Sequence, residues 1–189
     1  MNYRDYLQAG GIEMSDEDWA IYEPRIFVQK FKKNDLLLQQ GQVENHLSVI
    51  LSGAVRNFIE LENKDITTTF AFENGYVSSY ESFLTQTPSH YGIQALTDVV
   101  LWSATYESCQ YFFKHAPIGN FIGRVSAESL YLVKAERERS FLIDSAEERY
   151  LNLLKRDPNL FQRVPLKHIA SYIGITPQAL SRIRKRIVL

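Results

Sequence analysis

Between Pro165 and Ile187, a few conformationally restricted residues leave the chain very little choice of fold. Pro165 suits a first helical position, where its missing N–H costs nothing. Leu166, Ile169, Ala170 and Ile173 then line one face of a short helix. Gly174 is free to enter the left-handed conformation that ends a helix and turns the chain sharply, and Ile175 can tuck into the angle. Thr176 is a good N-cap and Pro177 a good first residue for a second helix. That helix has Leu180, Ile183 and Ile187 as its inner face. With small Ala170 where the two rods cross, residues 165–187 are predicted to form a helix-turn-helix.

If 180, 183 and 187 face inward, the outward face carries Gln178, Ser181, Arg182 and Lys185. The second helix of such a motif enters the DNA major groove with its N-terminal residues toward the base edges. Gln178 and Arg182, one turn apart, are therefore the candidate base readers. Arginine bonds guanine O6 and N7 together, and glutamine does likewise with adenine N6 and N7. Thr176 and Ser181 are within reach of phosphate or base. Arg184, Lys185 and Arg186 are expected to hold phosphates, which adds salt-dependent affinity without sequence preference.

The charge distribution agrees. The net charge is −1, yet from residue 145 onward nine basic residues face three acidic ones. The C-terminal segment thus carries a surplus of six, and the remaining 144 residues a deficit of seven. An acidic body with a basic end points to a polyanion partner for that end alone.

The first 24 residues read as helical, with Ser15 as an N-cap and Pro24 as a stop. From Arg25 to about Ala104 the texture changes to short β-branched and aromatic stretches: RIFVQKF, DLLLQQG, HLSVILSGAVRNFIEL, ITTTFAF and VVLWSATY. Glycines and polar turns punctuate them, which predicts an antiparallel sandwich or barrel. After Glu107 the pattern turns helical again. Ile118, Phe121, Ile122, Val125, Ser129 and Leu132 form a stripe at three-and-four spacing. It suits either packing on the chain's own β-domain or a two-fold seam. Ser145 and Glu148 then make a capping box, and Leu151 and Leu154 are expected to face inward in the helix that follows. The predicted boundaries are 1–116, 117–143 and 144–189.

Hydrophobic residues at 45% and aromatics at 13% suffice for a buried core. The apolar runs fall far short of the ~20 residues that span a bilayer, and the first residues carry no secretory pattern. A cytoplasmic protein with no membrane partner is expected. The single cysteine, Cys109, rules out an intrachain disulfide or a multi-thiolate metal site. His46, His90, His115 and His168 are too scattered for cupin-like metal chemistry, so no catalytic residue and no metal site is assigned.

Taken in order along residues 10–188, these motifs resemble the Crp–Fnr family of bacterial transcription regulators. FKKNDLLLQQGQ is similar to the family's first β-roll hairpin. LSVILSGAVRNF resembles its strand with a conserved-type glycine, here Gly53. FAFENGYVSSYESFL resembles the segment leading through Gly75 into the ligand-cradling stretch, and SAEERYLNLL the start of the DNA-binding domain. The resemblance implies an α+β fold: an N-terminal antiparallel β-roll (a double-stranded β-helix or jelly roll) with flanking helices, a long dimerisation helix and a C-terminal helix-turn-helix. It implies a homodimer on double-stranded DNA, with the stripe from Ile118 to Leu132 as its seam and RNA polymerase as a further partner.

The departures bear on the effector. Members that bind cyclic AMP carry a Gly-Glu pair for the ribose and, about ten residues on, an arginine for the cyclic phosphate. A gapless count places Ser79-Tyr80 and His90 there, with Glu81 one residue off and no arginine from 57 to 123. Cyclic AMP is therefore disfavoured. An unknown small molecule held by Ser79, Tyr80, Glu81, His90 and Tyr91, or a vestigial pocket, is expected instead. One cysteine excludes an iron–sulfur sensor, and a lone histidine among His46, His90 and His115 is read as an ordinary side chain rather than a haem ligand. Only Arg182 is shared with the catabolite activator's recognition helix, and no terminal β-wing of the family's kind is expected after Ile187. The alternative reading is a small-molecule sensor acting through protein contacts rather than DNA.

Overall fold

A computed structural model describes residues 3–9 and 11–187. Two short helices, α1 (Tyr3–Ala9) and α2 (Asp16–Tyr22), open the chain, and a single 3-10 turn containing Pro24 ends the second. Ser15 caps α2, accepting from Asp18 N–H at 3.0 Å. Eight strands follow: β1 (Phe27–Phe31), β2 (Leu36–Leu38), β3 (His46–Ser52), β4 (Val55–Leu61), β5 (Lys64–Ala71), β6 (Tyr76–Val77), β7 (Gly92–Ala95) and β8 (Val99–Thr105). The short helix α3 (Tyr80–Thr85) lies between β6 and β7.

The strands form two antiparallel four-stranded sheets, ordered β1-β8-β3-β6 and β2-β7-β4-β5. The stretch from His46 to Leu61 is two strands, because the chain changes sheet at Gly53. That glycine has φ +103°, and a Cβ there would sit 2.4 Å from the carbonyl oxygen of Asp98. Only glycine tolerates both conditions. Alternation then turns Ile50, Val55, Val77, Ile93, Val99 and Leu101 into the space between the sheets.

Helix α4 (Tyr106–His115) and the first turns of α5 (Gly119–Ile143) cover the outer face of the first sheet. They share a cluster with Leu7, Met14 and Val49. The 25-residue α5 then runs out with much of its apolar surface uncovered. Tyr131, Leu132, Leu142 and Ile143 are all exposed. Four helices complete the chain: α6 (Ala146–Arg156), α7 (Leu160–Arg163), α8 (Leu166–Tyr172) and α9 (Pro177–Ile187). The capping box of α6 is formed, with Ser145 N–H donating to Glu148 at 2.7 Å and Glu148 N–H to Ser145 Oγ at 3.3 Å. Within α6 the fully buried residues are Tyr150 and Leu153, whereas Leu151 and Leu154, expected to face inward, are half-buried.

The α+β architecture is thus as the sequence predicts, with one relationship it does not reveal. The C-terminal helices pack on the outer face of the second sheet, so their core of Leu153, Leu160, Ile169 and Leu180 continues into Ala54 and Leu96. Ser171 Oγ accepts from Thr67 N–H at 2.9 Å and donates to Asp65 C=O at 3.2 Å, binding α8 to β5. Among the described residues, no helix is long and apolar enough to cross a membrane.

Candidate nucleic-acid interface and effector pocket

The α8–α9 turn closes as its residues require. Gly174 has φ +79°. Its N–H reaches Ser171 C=O at 3.1 Å and Ile175 N–H reaches Ala170 C=O at 2.9 Å, the paired bonds of a Schellman stop. Thr176 Oγ1 accepts from Ala179 N–H at 3.2 Å and so caps α9. Helix α8 starts one residue later than expected, leaving Pro165 at the N-cap.

Leu180 and Ile183 are buried against Ile169, Ala170 and Ile173, and Ile187 is partly buried. Gln178, Ser181, Arg182 and Lys185 stand exposed on the opposite face. Arg182, Arg184 and Lys185 form no ion pair with any of the described residues, whereas Arg186 pairs with Glu147 at 2.7 Å. Of the seven candidate DNA-contacting residues, Thr176 therefore spends its acceptor on its own helix, Arg184 is half-buried, and Arg186 is engaged.

The β-roll end differs more from expectation. Ser79 is buried, but its partner is Ser89 rather than His90, the two hydroxyls hydrogen-bonding at 2.7 Å. Ser89 also accepts from Tyr91 N–H at 2.9 Å. Glu44 completes the cluster. Its carboxylate accepts from His46 N–H at 2.9 Å and Ser79 N–H at 3.2 Å, and its own N–H donates to Ser82 Oγ at 3.0 Å. Burial pushes the Glu44 carboxyl above its ordinary value, offset in part by those backbone N–H groups. Glu81 and His90 are exposed, and Tyr91 is half-buried.

A cavity of about 550 Å³ opens beside this cluster, between β5, β6 and α5. Phe70, Phe72, Tyr76 and Tyr80 wall it on one side and Ser126 and Ser129 on the other. Of the five expected pocket residues only Tyr80 lines it; Ser79, Glu81, His90 and Tyr91 do not. Tyr80 stacks on Phe83 with the rings nearly parallel, and burial raises its phenol. Phe70, Phe72 and Ser126 were not singled out in the sequence. The one signal for Ser126 was its helical spacing from Ser129.

The expected seam divides. Ile118 and Ile122 pack into the chain's own cluster with Phe112 and Val49, Val125 is half-buried, and Ser129 faces the cavity. Phe121 and Leu132 are exposed, at 47% and 66%. The stripe is real, but one edge of it is covered by α4 and the β-roll. Cys109 is buried, which pushes its thiol up to about 12. Among the described residues, no three His, Cys, Asp or Glu side chains are placed together to hold a metal ion.

The profile of the cyclic nucleotide-binding domain family matches residues 28–116. No curated protein matches the chain in sequence. Solved structures do match in fold. A putative transcriptional regulator of the Crp/Fnr family from Eubacterium rectale is 14% identical, with a TM-score of 0.74 over 96% of this chain and 87% of that one. CLP, the c-di-GMP-responsive global regulator of Xanthomonas campestris, is 14% identical, with a TM-score of 0.73 over 92% and 91%. The catabolite activator protein of Thermus thermophilus is 17% identical, with a TM-score of 0.55 over 93% and 84%. Each of these neighbours is named as a regulator or an activator. Residues 28–116 thus match the cyclic nucleotide-binding domain family, and nearly the whole chain shares the fold of solved Crp/Fnr regulators.

Proposed function

We propose that the protein is a homodimeric, sequence-specific DNA-binding transcription regulator. Its parts would be an effector domain over 1–116, a dimerising helix over 117–143 and a reading domain over 144–189. The observation that carries the proposal is the two-sidedness of α9. Leu180 and Ile183 fix one side in a core, while Gln178, Ser181, Arg182 and Lys185 stand exposed, the two cations without ionic partners among the described residues. Gln178 and Arg182 are assigned to base edges, Ser181, Arg184 and Lys185 to phosphates or sugar. Thr176 and Arg186 are assigned to phosphate only at the cost of their present bonds.

The exposed apolar residues of α5, Phe121 and Leu132 foremost, would meet their two-fold copies. A dimer of this kind reads two half-sites about one helical turn apart. The effector is not cyclic AMP in this reading. A cyclic phosphate entering beside Ser79 would meet the Glu44 carboxylate instead of a guanidinium. The aromatic cavity suits a more apolar effector, and because Ser126, Ser129 and Leu130 line it, such a molecule bears directly on α5. At its far end α5 sets Phe141 against Gly174, so a shift of that helix is felt at the α8–α9 turn. The effector would bias the dimer between DNA-competent and incompetent arrangements. Selection of bound duplexes from a random-sequence pool tests the proposal: an inverted repeat with half-sites 10–11 base pairs apart is expected, and no enrichment overturns it.

A further inference from the structure

We propose that the cleft where α5 meets α6 and the end of α8 binds a small organic anion carrying phosphate groups. The cleft has a volume of about 500 Å³, enough for a molecule of nucleotide size. It is separate from the aromatic cavity of the β-roll and shares no residue with it. Its cations are Arg137, Arg139, Arg149, Lys155 and Arg156, set against the two carboxylates of Glu136 and Asp144. Asp144 is already engaged, accepting from Ser140 Oγ at 2.6 Å.

None of the five cations forms an ion pair with a described residue. Three of them hold only backbone or phenol oxygens. Arg149 donates to Ile173 C=O at 2.9 Å and Asp144 C=O at 2.6 Å, Arg137 to Tyr172 C=O at 3.3 Å, and Arg156 to the Tyr172 hydroxyl at 3.4 Å. The Nε of Arg137 is buried with no hydrogen-bond partner among the described residues. A guanidinium drawn out of water without an anion is costly, and an incoming anion offsets that cost.

Stacking fixes these groups in place. Arg137 lies 4.4 Å from the Phe141 ring centroid and 5.1 Å from that of Tyr172, and Arg149 lies 4.7 Å from Phe141. Held by their faces, these guanidinium groups keep the N–H groups not bonded to backbone carbonyls, Nη1 of Arg137 and Nη2 of Arg149, for an oxyanion. A surplus of three positive charges suits a multiply charged phosphate better than a single carboxylate. Because the cleft joins the end of α5 to α6 and α8, its occupant would stiffen the elbow at Asp144. That control is distinct from the β-roll effector and does not depend on the DNA-binding reading.

The test is calorimetric titration of the full chain with pyrophosphate at constant ionic strength, with acetate as the control anion. Saturable binding at one site per chain is expected, at least tenfold weaker in Arg156→Gln, whose guanidinium makes one long hydrogen bond among the described residues, to the Tyr172 hydroxyl at 3.4 Å. A further loss is expected when Arg137→Gln is added. The pair Arg184→Gln and Lys185→Gln on α9 should leave the affinity within about twofold, which separates this site from the proposed DNA face. Absence of saturable heat, an equal response to acetate, or loss of binding in the α9 variant would each overturn the proposal. So would unchanged pyrophosphate affinity in Arg156→Gln together with a tenfold weaker grip on duplex DNA, since the cleft would then be a DNA contact.

Discussion

Arg163 grips both carboxylate oxygens of Glu73, at 2.7 and 2.8 Å, and so joins the C-terminal helices to the turn after β5. The same guanidinium donates to Gly53 C=O at 3.1 Å and lies 4.7 Å from the Phe72 ring centroid. A bidentate pair of this kind, its guanidinium half-buried over an aromatic ring, contributes more than an ordinary surface ion pair. Arg163→Ala is expected to destabilise the protein by about 1–2 kcal/mol in urea unfolding. Adding Glu73→Ala should cost less than Glu73→Ala alone, because the coupled partner is already lost and only the bond from Gly53 N–H at 2.8 Å remains to be broken.

His168 faces the Arg56–Asp65 pair, in which the buried Arg56 holds both oxygens of the half-buried Asp65 at 2.7 Å. Burial lowers its imidazole to about 4, with the Arg56 charge adding to the effect, and its Nδ1 has no hydrogen-bond partner among the described residues. The unfolded chain therefore binds a proton near pH 6.5 that the folded chain refuses until about pH 4. Stability from this group is complete above pH 6.5 and is lost as the pH falls through that window, on the order of 3 kcal/mol in all. Unfolding free energies at pH 7.5 and pH 4.5 should show the loss in the wild type and a smaller one in His168→Gln.

Gly174 permits two things at once, a left-handed turn and close contact with Phe141. A Cβ there would lie 2.8 Å from Phe141 Cε1. Gly174→Ala should cost about 1–3 kcal/mol, since the strained backbone and the displaced ring add. Thermal unfolding reads this directly, and Gly41→Ala, with open space around its Cβ position, should cost less.

Cyclic AMP should leave the melting temperature unchanged at millimolar concentration, because binding to the native state would raise it. The ground is the Glu44–Ser79–Ser89 cluster, which offers a carboxylate and two paired hydroxyls where a phosphate needs a cation. A concentration-dependent rise of several degrees would refute this reading of the site.

What could be read in the sequence was what is encoded locally. Gly174, Thr176 and Pro177 specify their turn within four residues, and Ser145 and Glu148 specify their cap within four more. The short β7 begins at Gly92 and lacks a long apolar run, so no local pattern marks it as a strand. The gapless count points to His90, whereas Ser89 is the side chain that turns inward to Ser79, because the fold of the loop after α3 decides this and not the count. Glu44 reaches Ser79 from 35 positions upstream, a relationship no local pattern records. The docking of α8 on β5 through Ser171 and Thr67 spans 104 positions and was likewise invisible. Periodicity found the apolar residues of α5 but could not say that Ile118 and Ile122 turn toward their own domain while Phe121 and Leu132 stay outside.

The central claim is that the open face of α9 reads DNA, and the most direct measurement is duplex affinity against salt. Fluorescence anisotropy with a selected operator should give a linear fall of log affinity with log salt. Arg182→Ala is predicted to weaken binding by about 1–3 kcal/mol and to relax preference at one base pair of each half-site. Lys185→Ala should weaken all sequences alike and flatten the salt slope by about one unit per subunit. Affinity and salt slope unchanged by both substitutions would contradict the account.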